Sequence, residues 1–387
     1  MKTNKKAFLH RLLRSILVLA VLGFSSFAAA QTPEDVSEPL VGPGKVIVHP
    51  KFGGTVFGFD IDQNGTEGVL TEGQTLPNGN TLNAVETFDQ KTGKIIKVVR
   101  KTETLDEDVT LGVVGTSVGL IEHDHVSGIY VVGRSYHVMN PLSGNKYTGS
   151  WKPGLKADQI IMGVSRNQGT PTNAFFVYDN VVNNPINFVF ASNVAQNSFG
   201  PRVDLNSVPQ FSFGVPPVMA FDTKTNQAVL AQDYGSPTDV PIIGVADLVK
   251  KKLDTFNGVG LGFVNGIAVD SADGIACTTT EIDFNVEFYN IKKQTGFTVP
   301  LAEANNQLNS GADVEFDPIN KLFLIAQPIS TTGSSAIQVY NPKGNFVESL
   351  NGFNMPMDTV IPIHIALNPS NRSGYVDDVA GIRSFTY

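Results

Sequence analysis

The chain has 387 residues, with 28 Lys and Arg against 36 Asp and Glu, six His and one Cys. An acidic chain with no basic stripe excludes nucleic acid and anionic membrane surfaces as natural partners. A single cysteine excludes an internal disulfide framework, so stability has to come from a core that a chain of this length can bury.

Residues 1–30 read as a cleavable export signal. Lys2, Lys5, Lys6, Arg11 and Arg14 form a basic segment, residues 16–24 (ILVLAVLGF) an apolar core, and Ala28-Ala29-Ala30 a small-residue cleavage site before Gln31. The apolar run is shorter than the roughly 20 residues that span a bilayer, and no later run reaches that length. No cysteine follows it to carry a lipid. Removing the signal leaves 23 basic against 36 acidic residues, a net charge of −13. The expected location is the periplasm or the medium. Residues 31–44 form a polar, acidic leader with Pro33 and Pro39. Residues 45–49 (KVIVH) read as one short strand, and a single domain over residues 45–387 follows.

From residue 50 onward one pattern recurs: alternating apolar residues ending in an acid or amide, a turn, and a second apolar run. Its copies are 57–70 (FGFDIDQNGTEGVL), 119–132 (GLIEHDHVSGIYVV), 219–230 (MAFDTKTNQAVL), 267–278 (IAVDSADGIACT), 314–325 (VEFDPINKLFLI) and 365–376 (IALNPSNRSGYV). The residue closing the first run is Asp60, Glu122, Asp222, Asp270, Asp317 or Asn368, at steps of 62, 100, 48, 47 and 51 residues. The long step is close to two units, and residues 159–177 (QIIMGVSRNQGTPTNAFFV) fit a degenerate copy with Ser165 at the acid position. A second hairpin follows in four units, at 85–99, 136–151, 286–299 and 337–350, with Asp89, Asn140, Asn290 and Asn341 opening the turns.

Strand-turn-strand units of about 50 residues predict a β-propeller with four-stranded blades. The fold class is all-β, a single seven-bladed β-propeller, with six or eight blades as open alternatives. The last unit lacks its fourth strand, and the strand at 45–49 is spare. Pairing the two would close the ring and remove an exposed edge. Only residues 241–254 could form a helix, and their pattern suits a strand pair equally. Residues 200–216 form the longest irregular connection, a contact element or a tolerated insertion. Lys250-Lys251-Lys252 reads as a charged turn, and Cys277 as a small buried hydrophobe.

The IAVD, VEFDP and IALNP units resemble those of bacterial propellers of the NHL and YVTN repeat kind, and gluconolactonase-like propellers have similar strands. The resemblance covers residues 45–387 at the level of repeat pattern and implies many functions rather than one. A gluconolactonase-like reading would place one calcium ion in the central channel, with Glu122, Asn265 and Asp313 as nominees for its ligands.

The sharpest local motif is Asp60-Ile61-Asp62-Gln63-Asn64-Gly65. Oxygen ligands at alternate positions, Asp60, Asp62 and Asn64, before a glycine suit calcium. An EF-hand would need Glu at the twelfth position, where Thr71 stands, with Glu72 beside it. The loop is closer to the D-x-D-x-N-G hairpin of integrin-type blades, although Gly68 occupies the ninth position that the pattern gives to Asp. An Asn-Gly hairpin turn accounts for the same residues without a metal. Glu122-His123-Asp124-His125 offers two His on one strand face, short of the four ligands that a zinc site needs. The closers themselves either gather at one channel mouth as a polar site or cap their own turns, and their recurrence favours capping. The chain holds no H-E-x-x-H, P-loop or C-x-x-C-H motif. The expected function is a non-catalytic binding or interaction scaffold for a protein, glycan or small-molecule ligand. The alternative is a calcium-assisted hydrolase or lactonase with its site in the channel.

Overall fold

The computed structural model describes residues 42–61, 66–104, 121–124, 129–135, 138–143, 146–147, 159–165, 173–179, 187–193, 198–212, 217–232, 240–262, 264–280, 284–301, 311–328, 335–356 and 363–387. These residues form seven four-stranded antiparallel sheets. Sheet 1 comprises Thr55–Ile61, Glu67–Thr75, Thr81–Asp89 and Ile95–Thr104; sheet 2 comprises Ile121–Asp124, Ile129–Ser135, Val138–Ser143 and Lys146–Tyr147. Sheet 3 comprises Gln159–Val164, Asn173–Asp179, Phe188–Asn193 and Ser198–Asp204; sheet 4 comprises Val218–Asp222, Gln227–Gln232, Ile242–Asp247 and Lys252–Asn257. Sheet 5 comprises Val264–Asp270, Ile275–Thr280, Asn285–Asn290 and Thr295–Pro300, and sheet 6 comprises Asp313–Asp317, Leu322–Gln327, Ser335–Tyr340 and Phe346–Phe353. In each of the six, spatial order follows chain order.

Sheet 7 is built from both ends of the chain. Ile365–Asn368, Ser373–Asp378 and Gly381–Thr386 supply three strands, and Gly42–Val48 supplies the outermost. Its register runs from Gly42 opposite Thr386 to Val48 opposite Ile382, with a bulge between Pro43 and Ile47. The pairing strand thus begins three residues earlier than the apolar pattern at 45–49 implies, because Gly42 and Pro43 still find partners opposite them. Residues 1–41, and with them the export signal and most of the leader, lie outside the described residues.

Burial follows position in the sheet. Second strands are the most covered where burial is described: every residue of Leu322–Gln327 is buried, and all but the first of Gln227–Gln232 and Ile275–Thr280. Fourth strands are largely exposed, as in Thr295–Pro300. First strands of neighbouring sheets touch: Gln159–Val164 with Val218–Asp222, then Val264–Asp270, Asp313–Asp317, Ile365–Asn368, Thr55–Ile61 and Ile121–Asp124 in turn. Between the sheets lie apolar layers such as Cys277, Phe288, Phe316, Phe323, Ile325 and Tyr340, which join sheets 5 and 6. Cys277 is fully buried there, and burial pushes its thiol well up, as expected of a small hydrophobe.

Residues 241–254 form a strand pair, with Lys250 and Lys251 in its turn and Lys252 opening the second strand opposite Asp247, and Lys250 is bound to Asp247 at 2.8 Å. The degenerate unit pairs Gln159–Val164 with Asn173–Asp179, and the Ser165 hydroxyl accepts the Ala174 N–H at 2.9 Å. Two expectations need correction. Asn140 opens no turn: it lies within Val138–Ser143 opposite Val132, since the hairpin bends later, between Ser143 and Lys146. The 200–216 connection is not irregular throughout. Its first residues complete Ser198–Asp204, and a 3-10 turn at Pro209–Ser212 drives Phe211 fully into the core.

Gly381 starts the strand that Gly42–Val48 pairs with. Its φ is 137°, and a Cβ there would lie 2.1 Å from the Val48 carbonyl oxygen. Gly381→Ala is expected to cost about 1–3 kcal/mol through backbone strain, read as a lower midpoint in urea unfolding.

Candidate functional site at the start of the inner strands

The first strand of every sheet runs the same way, so each sheet has a turn end, where that strand finishes, and a start end. The closers sit at the turn end. Asp317 Oδ1 accepts the N–H groups of Ile319 and Asn320, both at 2.8 Å, and Asp222 Oδ1 accepts those of Lys224 and Thr225 at 3.0 and 3.3 Å. Asp270 Oδ1 caps Ala272 in the same way at 3.0 Å. These are Asx-type turns. The closers also tie sheets together. Lys321 of sheet 6 reaches Asp270 of sheet 5 at 2.8 Å, and the Tyr387 hydroxyl donates to Asp317 Oδ2 at 2.8 Å. Burial, and then the Asp317 carboxylate, push the Tyr387 phenol up.

Register also corrects one closer. Asp222, Asp270, Asp317 and Asn368 each pair with the residue five places on, and in sheet 2 that relation belongs to Asp124 opposite Ile129. Glu122 lies two places earlier, opposite Val131. A shift of two keeps the same strand face, so alternation alone could not separate the two acids. His125 lies outside the described residues. So do Asp62, Asn64 and the rest of the 62–65 turn. Asp60 is placed, and its Oδ1 accepts the Ile61 N–H at 2.7 Å. Among the described residues no group of three or more His, Cys, Asp or Glu side chains is arranged to hold a metal ion.

The start end carries a different chemistry. Asp313, first residue of its strand and 3 % exposed, accepts the Ile365 N–H at 2.9 Å. Asp377, equally buried, accepts the backbone N–H of His364 at 2.7 Å and faces its Nδ1 at 3.0 Å. Burial raises the Asp377 carboxyl above its ordinary value; the His364 contacts pull it down, and Asp313 adds a further push upward. The imidazole, one-fifth exposed, meets the Phe59 ring edge-on at 6.1 Å. Asn265 Nδ2 donates to the Gly311 carbonyl at 3.0 Å, beside Asp313. Sheets 5, 6 and 7 thus bring Asn265, Asp313, His364 and Asp377 to one end of adjoining inner strands, and Phe59, from within the inner strand of sheet 1, packs against the imidazole. Of the channel nominees, Asn265 and Asp313 are neighbours. A carboxylate that fixes one imidazole nitrogen leaves the other to bind a polar group or move a proton. Nothing in the sequence around His364 marks this pairing, because Asp377 reaches it across a hairpin.

Two further features lie outside the motifs named above. Glu86, Glu287 and Gln338 stand three residues before the turn openers Asp89, Asn290 and Asn341, and all three are fully buried. They line the start end beneath the connections between sheets: Gly260 lies so close to Glu287 that a Cβ there would be 2.4 Å from its Oε1. Separately, Gly115-Thr116-Ser117-Val118-Gly119 has the G-x-S-x-G spacing that exposes a nucleophilic serine on a strand-to-helix turn. It lies outside the described residues, and the segment Ile121–Asp124 after it is a strand. Asp377→Ala would leave the buried His364 N–H without its acceptor. The expected cost is about 1–3 kcal/mol in urea unfolding, with a smaller loss for His364→Ala, which keeps that backbone bond.

No protein-family model matches the sequence, and no curated protein matches it. Solved structures do match. The WD40 domain of Neurospora crassa Pan2 aligns with a TM-score of 0.53 at 12% identity, over 87% of this chain and 93% of that one. The WD40 repeats of RRP9 align with a TM-score of 0.59 at 9% identity, over 90% of this chain and 99% of theirs. At such identity the likeness is one of fold: the chain is a repeat-built β-propeller.

Proposed function

We propose that the protein is an exported, non-catalytic interaction scaffold: a seven-bladed propeller, closed into a ring by its N-terminal strand, that binds a partner at the start end of its inner strands. Seven four-stranded sheets and the pairing of Gly42–Val48 with Gly381–Thr386 support the closed ring. Export rests on the basic, apolar and small-residue order of residues 1–30. The repeat phrases IAVD, VEFDP and IALNP support an NHL or YVTN kind of repeat.

The observation that carries the binding surface is the placement of exposed apolar side chains. Val240, Val259, Leu261 and Phe284 are 45%, 38%, 43% and 51% exposed, and all sit in start-end connections of sheets 4 and 5. The Gly258 N–H donates to the Pro241 carbonyl at 2.7 Å, which holds the first two connections together. Loops fixed on a rigid scaffold are the usual seat of binding, and grouped exposed apolar residues mark contact surfaces.

The second reading, a calcium-assisted hydrolase, is favoured by His364, Asp377 and Asp313 at the same end. Calcium in the Asp60, Asp62 and Asn64 hairpin would be a structural ion at the turn end and would not serve that chemistry.

Two measurements separate these readings. Cross-linking of the exported protein in its native cells should give a partner adduct that disappears with Val259→Asp and Phe284→Asp combined, while the thermal midpoint stays unchanged. An adduct that persists in the double variant places the surface elsewhere. Thermal unfolding in EDTA and in millimolar calcium tests the metal, since a ligand of the folded state raises the midpoint. A rise abolished by Asp60→Ala with Asp62→Ala assigns the hairpin. A rise that survives them moves the ion to the channel and favours the hydrolase.

A further inference from the structure

Residues 49–54 form a strap that leads from the outermost strand of sheet 7 to the innermost strand of sheet 1, across the seam where the two ends of the chain meet. Its backbone is held by two acids. The Lys51 N–H donates to Glu86 Oε2 at 2.9 Å; the Phe52 and Gly54 N–H groups donate to Glu72 Oε1 and Oε2 at 3.1 and 3.0 Å. Both glutamates are fully buried. They lie on one face of sheet 1, because Glu86 pairs with Leu70 and Glu72 with Ala84, which makes them diagonal neighbours, and the buried Glu86 Oε1 receives no donor from the described residues.

The same two positions are filled differently elsewhere. In sheet 6 they hold Gln327 and Gln338, whose amides bond to each other at 2.9 Å. In sheet 5 they hold Thr280 and Glu287, and the acid receives hydroxyl bonds from Thr278 at 2.9 Å and Thr280 at 3.4 Å. Neither arrangement needs an added proton. Two neighbouring buried carboxyl groups do need one, since two ionised carboxylates offer only acceptors to each other.

We propose that Glu72 and Glu86 form a proton-dependent latch on the 49–54 strap, held while Glu86 carries a proton and weakened when Glu86 ionises.

Among the described side chains the charged surroundings do not supply a substitute cation. Lys51, on the strap, is the cation that acts on Glu86; its charge pulls less than Glu72 pushes, while its N–H bond is the stronger downward pull and ranks next to burial. Lys101, on the adjoining strand, lies over the Phe52 ring at 4.9 Å and pairs with Glu103 at 2.9 Å. His49 turns its Nδ1 to the Ala380 carbonyl at 2.8 Å. On the sheet 7 side Arg383 is bound to Asp378 at 2.6 Å, and the Tyr375 hydroxyl to the Gln90 carbonyl. Burial outweighs the downward pull of the Lys51 N–H bond and, with Glu72 adding to it, lifts Glu86 to about 7. A carboxyl raised in the folded state stabilises that state below its ordinary value, and the contribution drains away as pH rises to the raised value. The strap is therefore held tightest in mild acid, loosens from about pH 5 to pH 7, and changes no further above that.

Backbone hydrogen exchange at Lys51, Phe52 and Gly54, corrected for the intrinsic pH dependence of exchange, tests the latch on the whole folded chain. Expected is a fall in protection of up to about tenfold per pH unit between pH 5 and 7, then a plateau. The Gly258 amide, bonded to Pro241 over the sheet 4 to sheet 5 connection, serves as a control that stays level. Glu86→Gln should convert the pair to the amide chemistry of sheet 6 and flatten the profile while keeping the strap protected; Glu72→Gln is the second variant should the first fail to fold. Level protection in the unaltered protein from pH 5 to 8, or the same fall in a folded variant, overturns the latch.

Discussion

Every sheet but one is made from consecutive strands, and the exception governs the others. Sheet 7 has its fourth strand only because Gly42–Val48 lies against Gly381–Thr386. Without that pairing the third strand of the sheet would be an open edge, and Val48, Tyr375 and Ile382, which share an apolar layer with Phe59, Ile61 and Phe88 of sheet 1, would lose their outer wall. The Arg383 side chain reinforces the join, bonded to Asp378 and to the Gly44 carbonyl. The inner strands of sheets 6, 7 and 1, which position Asp313, His364 and Phe59, depend on that join in turn.

The two ends of the inner strands have separate duties. At the turn end one device is repeated: an acid or amide caps a tight turn, and side chains such as Lys321 and Tyr387 lock it to the next sheet. Symmetry there is the mark of structure. At the start end the connections differ in length and content. Apolar side chains crowd over sheets 4 and 5, a His and two Asp over sheets 6 and 7, and two acids under the strap into sheet 1. Departure from the repeat is concentrated where a ligand could profit from it.

The fold was largely legible in the sequence because its units are local. Strand alternation, Asp and Asn at turns and a step near 50 residues give sheets 4 to 6 directly, and Ser165 could be found by spacing alone. Legibility failed where a judgement needed register or distant pairing. Asp124 and Glu122 share a strand face two residues apart, so only hydrogen-bond partners distinguish them. Phe211 sits in a stretch rich in Pro, Ser and Gln that resembles a surface loop, yet it fills the space above Gly244. Less of the candidate site could be read. Asp313 and Asn265 attract notice as polar residues near strand starts, whereas the His364 and Asp377 pair and the Glu72 and Glu86 pair arise from neighbours across a sheet. Their spacing in sequence, 13 and 14 residues, matches no motif.

The pairing that completes sheet 7 joins groups as far apart as Arg383 and Gly44, 339 residues along the chain. Loop closure over such a span contributes nothing until almost every other sheet is in place, and contacts of that kind slow folding. Gly42–Val48 leaves the ribosome before the strands of the seven sheets that follow it, and it must wait for Gly381–Thr386. Through synthesis and any passage across a membrane the molecule therefore carries two unmatched β edges, one on the early segment and one on the nascent sheet 7. Both attract foreign strands until they find each other. The vulnerable interval ends in one event, when Gly42–Val48 docks on Gly381–Thr386.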